Sequence, residues 1–438
     1  MSETVANLWS TLQQQRAVEY PVLGWLDSLL VQHLYVRPQI TGTADKNWLI
    51  WLVENLEIPR DGHWLSIGCG AGGLERFAVE EGLCTEIDGV DIAPGAIEMA
   101  VRNAAESGMT NVRYQVRDLD RARLPECTYD VVLCAMSLHH IRRLEYFYEE
   151  VVQSLRPGGW LLLNEFVGPS QWQWTDQQLN AVNTLLAALP ERLRVNTVTG
   201  LVKEREERPS IAWMNAVDPS ESIRSAELLP LLESQFTLAL RRDYGGAVLG
   251  KLLEQIIANF DPERPEDVMA LRLLFAAEAT LMRAGVLSSD FSVVAAHEGR
   301  SLRAARLPFD AAFERHLVYG FHPVEYMPSG EPFAWTEGEA AFVLRRPPHA
   351  RALRLSLILP PVARTLSIEV DGQLVGALRS TACAAVPPPT HLTLALPPHT
   401  RAQPTISLHL DQGWCPSDVW ASQDPRTLGV ALAGAELL

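Results

Sequence analysis

The stretch LSIGCGAGGLER, residues 65–76, decides the fold of the N-terminal part of this 438-residue chain. An apolar run leads into a glycine-rich turn, and helical periodicity then begins near Gly73. Glycines let the backbone turn tightly and approach a ligand closely, and free amides at a helix start can meet an anionic group. The spacing fits GxGxG through Gly68, Gly70 and Gly72, and GxGxxG when the last glycine is Gly73. A turn that binds no ligand remains the alternative.

Short apolar runs alternate with helical segments on both sides of this turn, which predicts parallel strands covered on both faces. The predicted strands are Trp64–Ile67, Glu86–Val90, Val112–Val116, Val131–Ala135 and Trp160–Glu165. The predicted helices are Leu74–Glu81, Pro94–Ser107 and Tyr146–Leu155. Two later strands are expected at Phe236–Arg242 and Asp290–His297. The order predicts an α/β fold with a doubly wound, mostly parallel sheet.

The pattern changes twice along the chain and predicts three parts. Residues 1–45 are expected to form short helices that carry Trp9, Tyr20, Trp25 and Tyr35. Residues 46–298 are expected to form the α/β domain, with a helical lid at about 170–285. Residues 330–438 contain proline pairs and short alternating runs, with a hairpin signal at Asp371-Gly372, and predict an all-β, sandwich-like domain. The runs are Ala340–Arg345, Leu353–Leu359, Leu366–Val370, Leu374–Leu378, Leu392–Leu396 and Ile406–Leu410.

Composition narrows the classes of function. A net charge of -16 disfavours a nucleic-acid partner, because phosphate backbones are bound by basic surfaces. The N-terminus has no basic segment followed by an apolar run, and no stretch has the length of a membrane span, so a cytoplasmic protein is expected. The six cysteines form no CxxC pair, which predicts neither a zinc site nor a disulfide framework.

Two acids lie at the ends of predicted strands. Asp91 ends the second strand, where a carboxylate can accept hydrogen bonds from the two hydroxyls of a ribose. Asp88 is the alternative ribose acceptor, and Asp91 could instead only cap the helix that begins at Pro94. Asp118 ends the third strand, where it could accept an adenine amino proton or remain an ordinary loop aspartate.

These two acids and four further landmarks resemble the class I S-adenosylmethionine-dependent methyltransferases. The most discriminating landmark is the RPGG turn before the fifth strand. The resemblance covers residues 46–170 clearly and 1–298 loosely, and it implies a seven-stranded sheet whose seventh strand is antiparallel. The landmarks are the glycine turn at 68–72, Asp91, Asp118, the run 129–133, the run 137–141 and the RPGG turn at 156–159.

The resemblance implies that S-adenosylmethionine is the cofactor. By resemblance, the glycine turn and Asp91 hold the methionine and ribose parts, Asp118 and Leu119 hold the adenine, and Ala135 lies beside the methionine end. The full set expected at the cofactor is Gly68, Cys69, Gly70, Gly72, Asp91, Ile92, Asp118, Leu119 and Ala135.

Methyl transfer to a neutral hydroxyl also requires a base, whereas an uncharged amine reacts without one. His140, His139 and Glu165 follow the fourth and fifth strands at the edge where such sheets bind ligands, so each is a candidate base. One histidine could instead only shape the pocket. No metal site is expected, since adjacent histidines point apart in an extended chain.

The acceptor is expected to be a sugar, a glycolipid or another small hydroxylated metabolite. Trp172 and Trp174 could stack on such a ring or simply pack in the protein. The segment 218–225, DPSESIRS, resembles one found in a subgroup of bacterial methyltransferases and could face the acceptor. The segment 414–429 resembles the closing strand of β-sandwich modules on bacterial polysaccharide enzymes, which favours a role in polysaccharide biosynthesis. Alternatively, this C-terminal part is a structural or dimerisation domain.

Two other classes of function remain open at this stage. One is a nicotinamide-dependent oxidoreductase on a similar sheet, against which the RPGG turn and Asp118 argue. The other is a non-catalytic, glycan-binding interaction protein with a relic cofactor fold, against which the intact glycine turn and Asp91 argue.

Overall fold

The computed structural model describes residues 5–7, 9–10, 24–298, 305–307, 313–347, 350–383, 387–401, 403–419 and 422–438. The chain divides into two compact units, Met1–Gly299 and Arg300–Leu438. Tyr20, one of the aromatics expected on the N-terminal helices, lies outside the described residues.

The first unit is built on a seven-stranded sheet in the order β3-β2-β1-β4-β5-β7-β6. Strands β1 to β5 are parallel, and β7 is antiparallel to both β5 and β6, as the resemblance implies. The predicted doubly wound α/β sheet is therefore confirmed. The strands are β1 His63–Ile67, β2 Glu86–Asp91, β3 Val112–Val116, β4 Tyr129–Ala135, β5 Leu155–Phe166, β6 Phe236–Gly245 and β7 Phe291–Glu298.

Helices cover both faces of this sheet, and two apolar clusters lie beneath them. In α5, the buried residues Ala96, Ile97, Ala100 and Ala104 recur at helical spacing and form the face turned to the core. The helices of the unit are α1 Leu29–Val31, α2 Arg37–Thr41, α3 Trp48–Asn55, α4 Gly73–Glu80, α5 Pro94–Glu106, α6 Leu144–Ser154, α7 Asp176–Ala188, α8 Ile211–Val217, α9 Leu228–Gln235, α10 Leu249–Leu253 and α11 Pro265–Arg283.

Element boundaries differ from the predictions by a few residues, with the largest change at the RPGG segment. Strand β5 begins at Leu155 and so includes residues 156–159, which were expected to form a turn before it. Gly158 has a φ of 83°, and the pairing of β4 with β5 shifts its register between Tyr129 and Val131. A bend within a continuous strand therefore takes the place of a separate turn.

The second unit is all-β, as predicted, and its strands form one antiparallel sheet in the order β12-β11-β14-β9-β15-β10-β13, with β8 paired to β9. The strands are β8 Leu317–Tyr326, β9 Pro332–Val343, β10 Ala352–Ile358, β11 Thr365–Val370, β12 Gln373–Arg379, β13 Thr390–Ala395, β14 Thr405–Leu410 and β15 Ala431–Leu437, with the short helix α12 Pro416–Val419. Strands β8 and β15 were not predicted, and β8 begins before residue 330.

The strands form a continuous ladder whose end strands β12 and β13 approach each other at Gly376 and Leu394, so the sheet is nearly barrel-like. One expectation about this unit needs correction. The segment 414–429 is not a strand: it contains the helix α12 and a single bridge between Trp414 and Leu428. The last strand, β15, lies between β9 and β10.

Among the described residues, no helix combines the length and the apolar character needed to cross a membrane.

Candidate active site

A cavity of about 710 Å³ opens at the carboxyl edge of the parallel strands in the first unit. Of the residues predicted to hold the cofactor, all but Gly72 line it, and so do His139 and His140. One end is formed by the glycine turn and the acids that follow β2 and β3. The opposite end is formed by Trp172, Trp174, Lys251 and Asp290, so one space joins the two groups of residues.

The glycine turn is shaped by positive φ angles at Gly68 (65°), Gly70 (53°) and Gly72 (77°). These angles lie in the left-handed region, where a side chain is strained. At Gly68 a Cβ atom would lie 2.3 Å from Cβ of Ser137, so this glycine lets two loops pack closely. The turn therefore presents backbone rather than side chains to the cavity.

Gly72 has a different role from the one predicted. It lies outside the cavity, and a Cβ atom there would lie 2.3 Å from the hydroxyl oxygen of Tyr114 on β3. That hydroxyl donates a hydrogen bond to the Gly72 carbonyl at 3.1 Å. Gly72 therefore allows the start of α4 to pack against the sheet.

Asp91 is tied to both neighbouring backbone segments. Its Oδ2 accepts a hydrogen bond from the Gly70 amide at 2.9 Å, and its Oδ1 accepts one from the Ala93 amide at 2.8 Å. The carboxylate thus caps the start of α5 and also lines the cavity. Burial raises the pKa of Asp91, although the hydrogen bonds from Ala93, Gly70 and Ile92 act against this. A carboxylate oxygen can accept more than one hydrogen bond, so capping leaves acceptor capacity for a ligand.

Asp88, the alternative ribose acceptor, does not line the cavity. Its carboxylate accepts hydrogen bonds from Arg113 at 2.8 Å and from the Tyr129 hydroxyl at 3.1 Å, and it lies 3.0 Å from Nε2 of His63. The structure therefore leaves Asp91 as the acid at this position. Asp118 lines the cavity with Leu119.

Glu165 lies behind the two histidines, is fully buried and does not line the cavity. Its Oε1 accepts hydrogen bonds from the amides of Ser137 and Leu138, both at 2.7 Å, and its Oε2 lies 2.8 Å from Nδ1 of His139. Because both oxygens are engaged, Glu165 orients the turn and the His139 ring. It is a positioning residue and not the base that the sequence suggested.

The two histidines do not point apart, contrary to expectation. Residues Leu138–His140 form a 3₁₀ turn, and the rings of His139 and His140 have centroids 4.3 Å apart. The side chain of Glu221 reaches the same place, and each of the three residues has a ligating atom within 4.8 Å of those of the other two. The prediction that this region has no cluster able to bind a metal was therefore wrong.

The pKa values of the two imidazoles shift in opposite directions. Burial lowers the pKa of His139, but the hydrogen bond and charge of Glu165, with the charges of Glu221 and Asp218, raise it overall above its ordinary value. Burial and the neighbouring charge of His139 lower the pKa of His140. The pKa of His140 falls to about 4, so this imidazole is uncharged at neutral pH. Its ring also meets the edge of Trp9, with centroids 4.9 Å apart.

The far end of the cavity is aromatic with charged groups at its margin. The rings of Trp172 and Trp174 stack with centroids 5.8 Å apart, and Nζ of Lys251 lies 5.2 Å and 4.8 Å from their respective centroids. Such contacts attract a cation to the ring faces. Lys251 also pairs with Glu254. Trp174 is buried and donates a hydrogen bond from Nε1 to Asp290 at 3.2 Å, so it is held by packing and still borders the cavity.

Several residues other than glycine around the cavity adopt left-handed backbone conformations. Met136 and Trp172 line it with φ angles of 54° and 53°, and their neighbours Gln171 and Ser222 both have a φ of 49°. Such conformations cost about 1–3 kcal/mol each and concentrate at functional sites, where surrounding contacts enforce them. The strain accords with a site for ligand binding in this cavity.

Sequence reasoning missed several charged residues of this site, among them Glu221, Lys251 and Asp290. Glu221 lies in the segment 218–225, which was expected to face the acceptor, but it was not predicted as a site residue. Lys251 and Asp290 were assigned only to a lid helix and to a strand. The sequence carried no local signal for the last two, because their approach depends on how the helical insertion folds back over the sheet.

Comparison with known proteins finds similarity to methyltransferases in this region. Residues 65–159 match the family model of a methyltransferase domain. Sterol 4-C-methyltransferase of Caenorhabditis elegans is 30% identical over 139 residues, which cover 30% of this chain and 41% of that protein. Ubiquinone biosynthesis O-methyltransferase of Leptothrix cholodnii is 31% identical over 119 residues, which cover 27% of this chain and 48% of that protein. The chain thus spans less than half the length of these two relatives.

Among solved structures, geranyl diphosphate C-methyltransferase from Streptomyces coelicolor A3(2) is similar to this chain with a TM-score of 0.39 and 14% identity. The match covers 68% of this chain and 97% of that one.

Proposed function

We propose that this chain, whose residues 65–159 form a methyltransferase domain, transfers a methyl group from S-adenosylmethionine to a hydroxyl of a small metabolite. The family match bears out the predicted class and cofactor of the domain, and it counts against the nicotinamide alternative. The acceptor that we propose is a sugar, a glycolipid or another compact hydroxylated molecule.

The extent of the cavity is the main support for this function. The cavity that begins at the glycine turn and Asp91 continues past His139 and His140 to Trp172 and Trp174. Its volume of about 710 Å³ falls within the roughly 300–1,000 Å³ typical of small-molecule sites. A cofactor and a small acceptor can therefore share one cavity.

The residues at the cofactor end fit a nucleoside. When bound, S-adenosylmethionine supplies a methyl group already activated by a positively charged sulfur. Asp91 is placed to accept hydrogen bonds from ribose hydroxyls, and Asp118 with Leu119 to meet the adenine. Gly68 and Gly70 keep side chains out of the space beside Asp91.

The histidine pair fits the need for a base. A hydroxyl must lose its proton as its oxygen bonds to the methyl carbon and the carbon–sulfur bond breaks. His140 is the uncharged imidazole of the pair and lines the cavity between its two ends, so it is placed to take that proton. His139 and Glu165 hold the turn that presents it.

The opposite end fits an acceptor with a ring and hydroxyl groups. Trp172 and Trp174 offer faces against which a ring can stack, while Lys251, Glu254 and Asp290 offer polar contacts. Dimerisation through the second unit, a contribution of that unit to saccharide binding and cytoplasmic residence stay predictions.

The experiment is a screen of hydroxylated metabolites with methyl-labelled S-adenosylmethionine, followed by mass spectrometry of the labelled product. Trp172→Leu should abolish turnover while leaving cofactor affinity within about twofold. Trp213→Leu is the matched control, because that tryptophan is half exposed and lies outside the cavity. Label found on a nitrogen or on carbon, or cofactor binding with no labelled product from any hydroxylated compound, would contradict the proposal.

A further inference from the structure

We infer that His139, His140 and Glu221 bind a divalent transition-metal ion in the middle of the cavity. The ligating atoms are Nε2 of the two histidines and the carboxylate of Glu221. The ion site is argued from its own contacts, whereas its role in the reaction rests on the proposed function.

The distances allow one ion to reach all three side chains. Nε2 of His139 lies 3.8 Å from Oε1 of Glu221, and Nε2 of His140 lies 3.8 Å from Oε2 of the same carboxylate. In a tetrahedral site, ligands about 2.1 Å from an ion are about 3.4 Å apart. All separations in the cluster are within 4.8 Å, so side-chain rotations that bring the ligating atoms closer by up to about 1.4 Å complete the set.

Hydrogen bonding fixes the tautomer of His140 that a metal requires. The Ser220 hydroxyl donates its only proton to Oδ1 of Asp218 at 2.6 Å, so toward Nδ1 of His140, 3.2 Å away, it can only accept. Nδ1 of His140 therefore carries the proton, and in the neutral ring the lone pair is on Nε2.

His139 is held in the same way by a different partner. Oε2 of Glu165 lies 2.8 Å from its Nδ1, and Glu165 is itself fixed by the amides of Ser137 and Leu138. A carboxylate that accepts from the far nitrogen of an imidazole is the usual outer support of metal-binding histidines. Both rings thus have Nδ1 engaged outside the cluster and Nε2 directed to Glu221.

The surrounding charge favours a cation. Besides Glu221, the carboxylates of Glu165 and Asp218 lie beside the two rings. Oδ2 of Asp218 is buried, 3.9 Å from Nδ1 of His140, and has no hydrogen-bond partner within the described part of the chain. A bound divalent ion would stabilise this concentration of buried negative charge.

Two imidazoles and one carboxylate leave coordination positions open, a donor set that suits ions such as zinc, iron(II) or manganese(II). In the proposed reaction, the ion would bind the acceptor hydroxyl and lower its pKa. The proton would pass to the Glu221 oxygen that does not bind the ion, while the acceptor oxygen bonds to the methyl carbon. With its Nε2 bound to the ion, His140 could not take the proton, so Glu221 would replace it as the base of the proposed function.

The test is a titration of the full-length, chelator-treated protein with cobalt(II), whose visible absorption reports ligation by histidine. We expect one ion per chain. His140→Gln and Glu221→Gln should each weaken cobalt binding by more than about 100-fold, and Glu165→Gln by about 10–100-fold, as outer partners of metal ligands do. Of the three variants, Glu221→Gln should disturb folding least, because this side chain lies at the surface of the cavity.

His409→Gln is the matched control, because His409 in the second unit also lies near two carboxylates, Glu339 at 3.2 Å and Glu369 at 3.7 Å. Its cobalt affinity should equal that of the unmodified protein. The inference is overturned if Glu221→Gln binds cobalt as tightly as the unmodified protein or if no stoichiometric binding occurs. Cobalt binding is read separately from methyl transfer, so methylation that persists in chelator overturns the ion's role and not the proposed function.

Discussion

Oδ2 of Asp91 lies 2.9 Å from the backbone nitrogen of Gly70, so the acid that ends β2 is hydrogen-bonded to the glycine turn that follows β1. The same carboxylate caps α5 through the Ala93 amide. The predicted ribose acceptor and the turn that would receive the methionine part are therefore a single hydrogen-bonded structure.

Replacing Asp91 with alanine should weaken binding of S-adenosylmethionine by about 10–100-fold, because a charged acceptor contributes about 1.5–3 kcal/mol per hydrogen bond. Isothermal titration calorimetry measures this change directly. Asp88→Asn is the control, since Asp88 is held by Arg113 and Tyr129 outside the cavity. Equal affinities of the two variants would reject the assignment of Asp91.

Replacing Gly72 with alanine should destabilise the first unit by about 1–3 kcal/mol or more. The new Cβ would meet the Tyr114 hydroxyl in a backbone conformation with a φ of 77°. Gly73→Ala is the neighbouring control, because no atom lies within 4 Å of a Cβ there. Thermal unfolding followed by circular dichroism should show a lower Tm for the first variant only. A similar Tm for both would mean that Gly72 is not a packing glycine.

The stability of the first unit should depend on the ionisation of Asp290. Burial raises the pKa of Asp290 to about 7, and the negative charge of Glu278 also raises it. The hydrogen bonds from Trp174 and Gln178 lower the pKa but do not offset the burial. An unfolded aspartate titrates near pH 3.9, so as the pH rises Asp290 loses its proton at a lower pH in the unfolded state than in the folded state. Stability is therefore lost as the pH rises from about 4 to about 7, by up to about 4 kcal/mol.

Asp290→Asn removes this ionisation, so its stability relative to the unmodified protein should rise across the same interval and then level off. Urea denaturation at a series of pH values measures the difference. Asp176→Asn, which changes a side chain that is 95% exposed, should show no such trend. A difference independent of pH would mean that Asp290 ionises in the folded protein as it does in the unfolded chain.

In the second unit, replacing Gly429 with alanine should disturb the sheet near β9. A Cβ atom there would lie 2.0 Å from the carbonyl oxygen of Glu337 and 2.3 Å from the hydroxyl oxygen of Thr336. Gly338→Ala is the control, with no atom within 4 Å of its Cβ. Limited proteolysis should cut the second unit of the first variant faster. Equal rates would show that the close approach at Gly429 is relieved at little cost.

Much of the α/β fold follows from local patterns, because short strand-like runs alternate with helical segments and a turn that carries a ligand needs glycine. The strands at 86–91 and 112–116 and the helix from Pro94 were accordingly predicted within a residue. Strands β8 and β15 were missed, since Leu317–Tyr326 and Ala431–Leu437 show little alternation and are stabilised by pairing with distant partners. The register shifts in β8 add to this difficulty.

At the site, sequence alone predicted Asp91, Asp118 and the histidine pair, because each follows a strand whose carboxyl end borders the ligand edge of a parallel sheet. All four residues line the cavity. The tertiary structure decided which groups face the cavity. Glu165 is buried and accepts a hydrogen bond from the loop at Leu138, and Gly72 packs against the sheet outside the cavity. Glu221 lies beside the rings of His139 and His140, which precede it in the sequence by about eighty residues. Strand ends are encoded locally, whereas contacts between loops depend on how distant segments pack over the sheet.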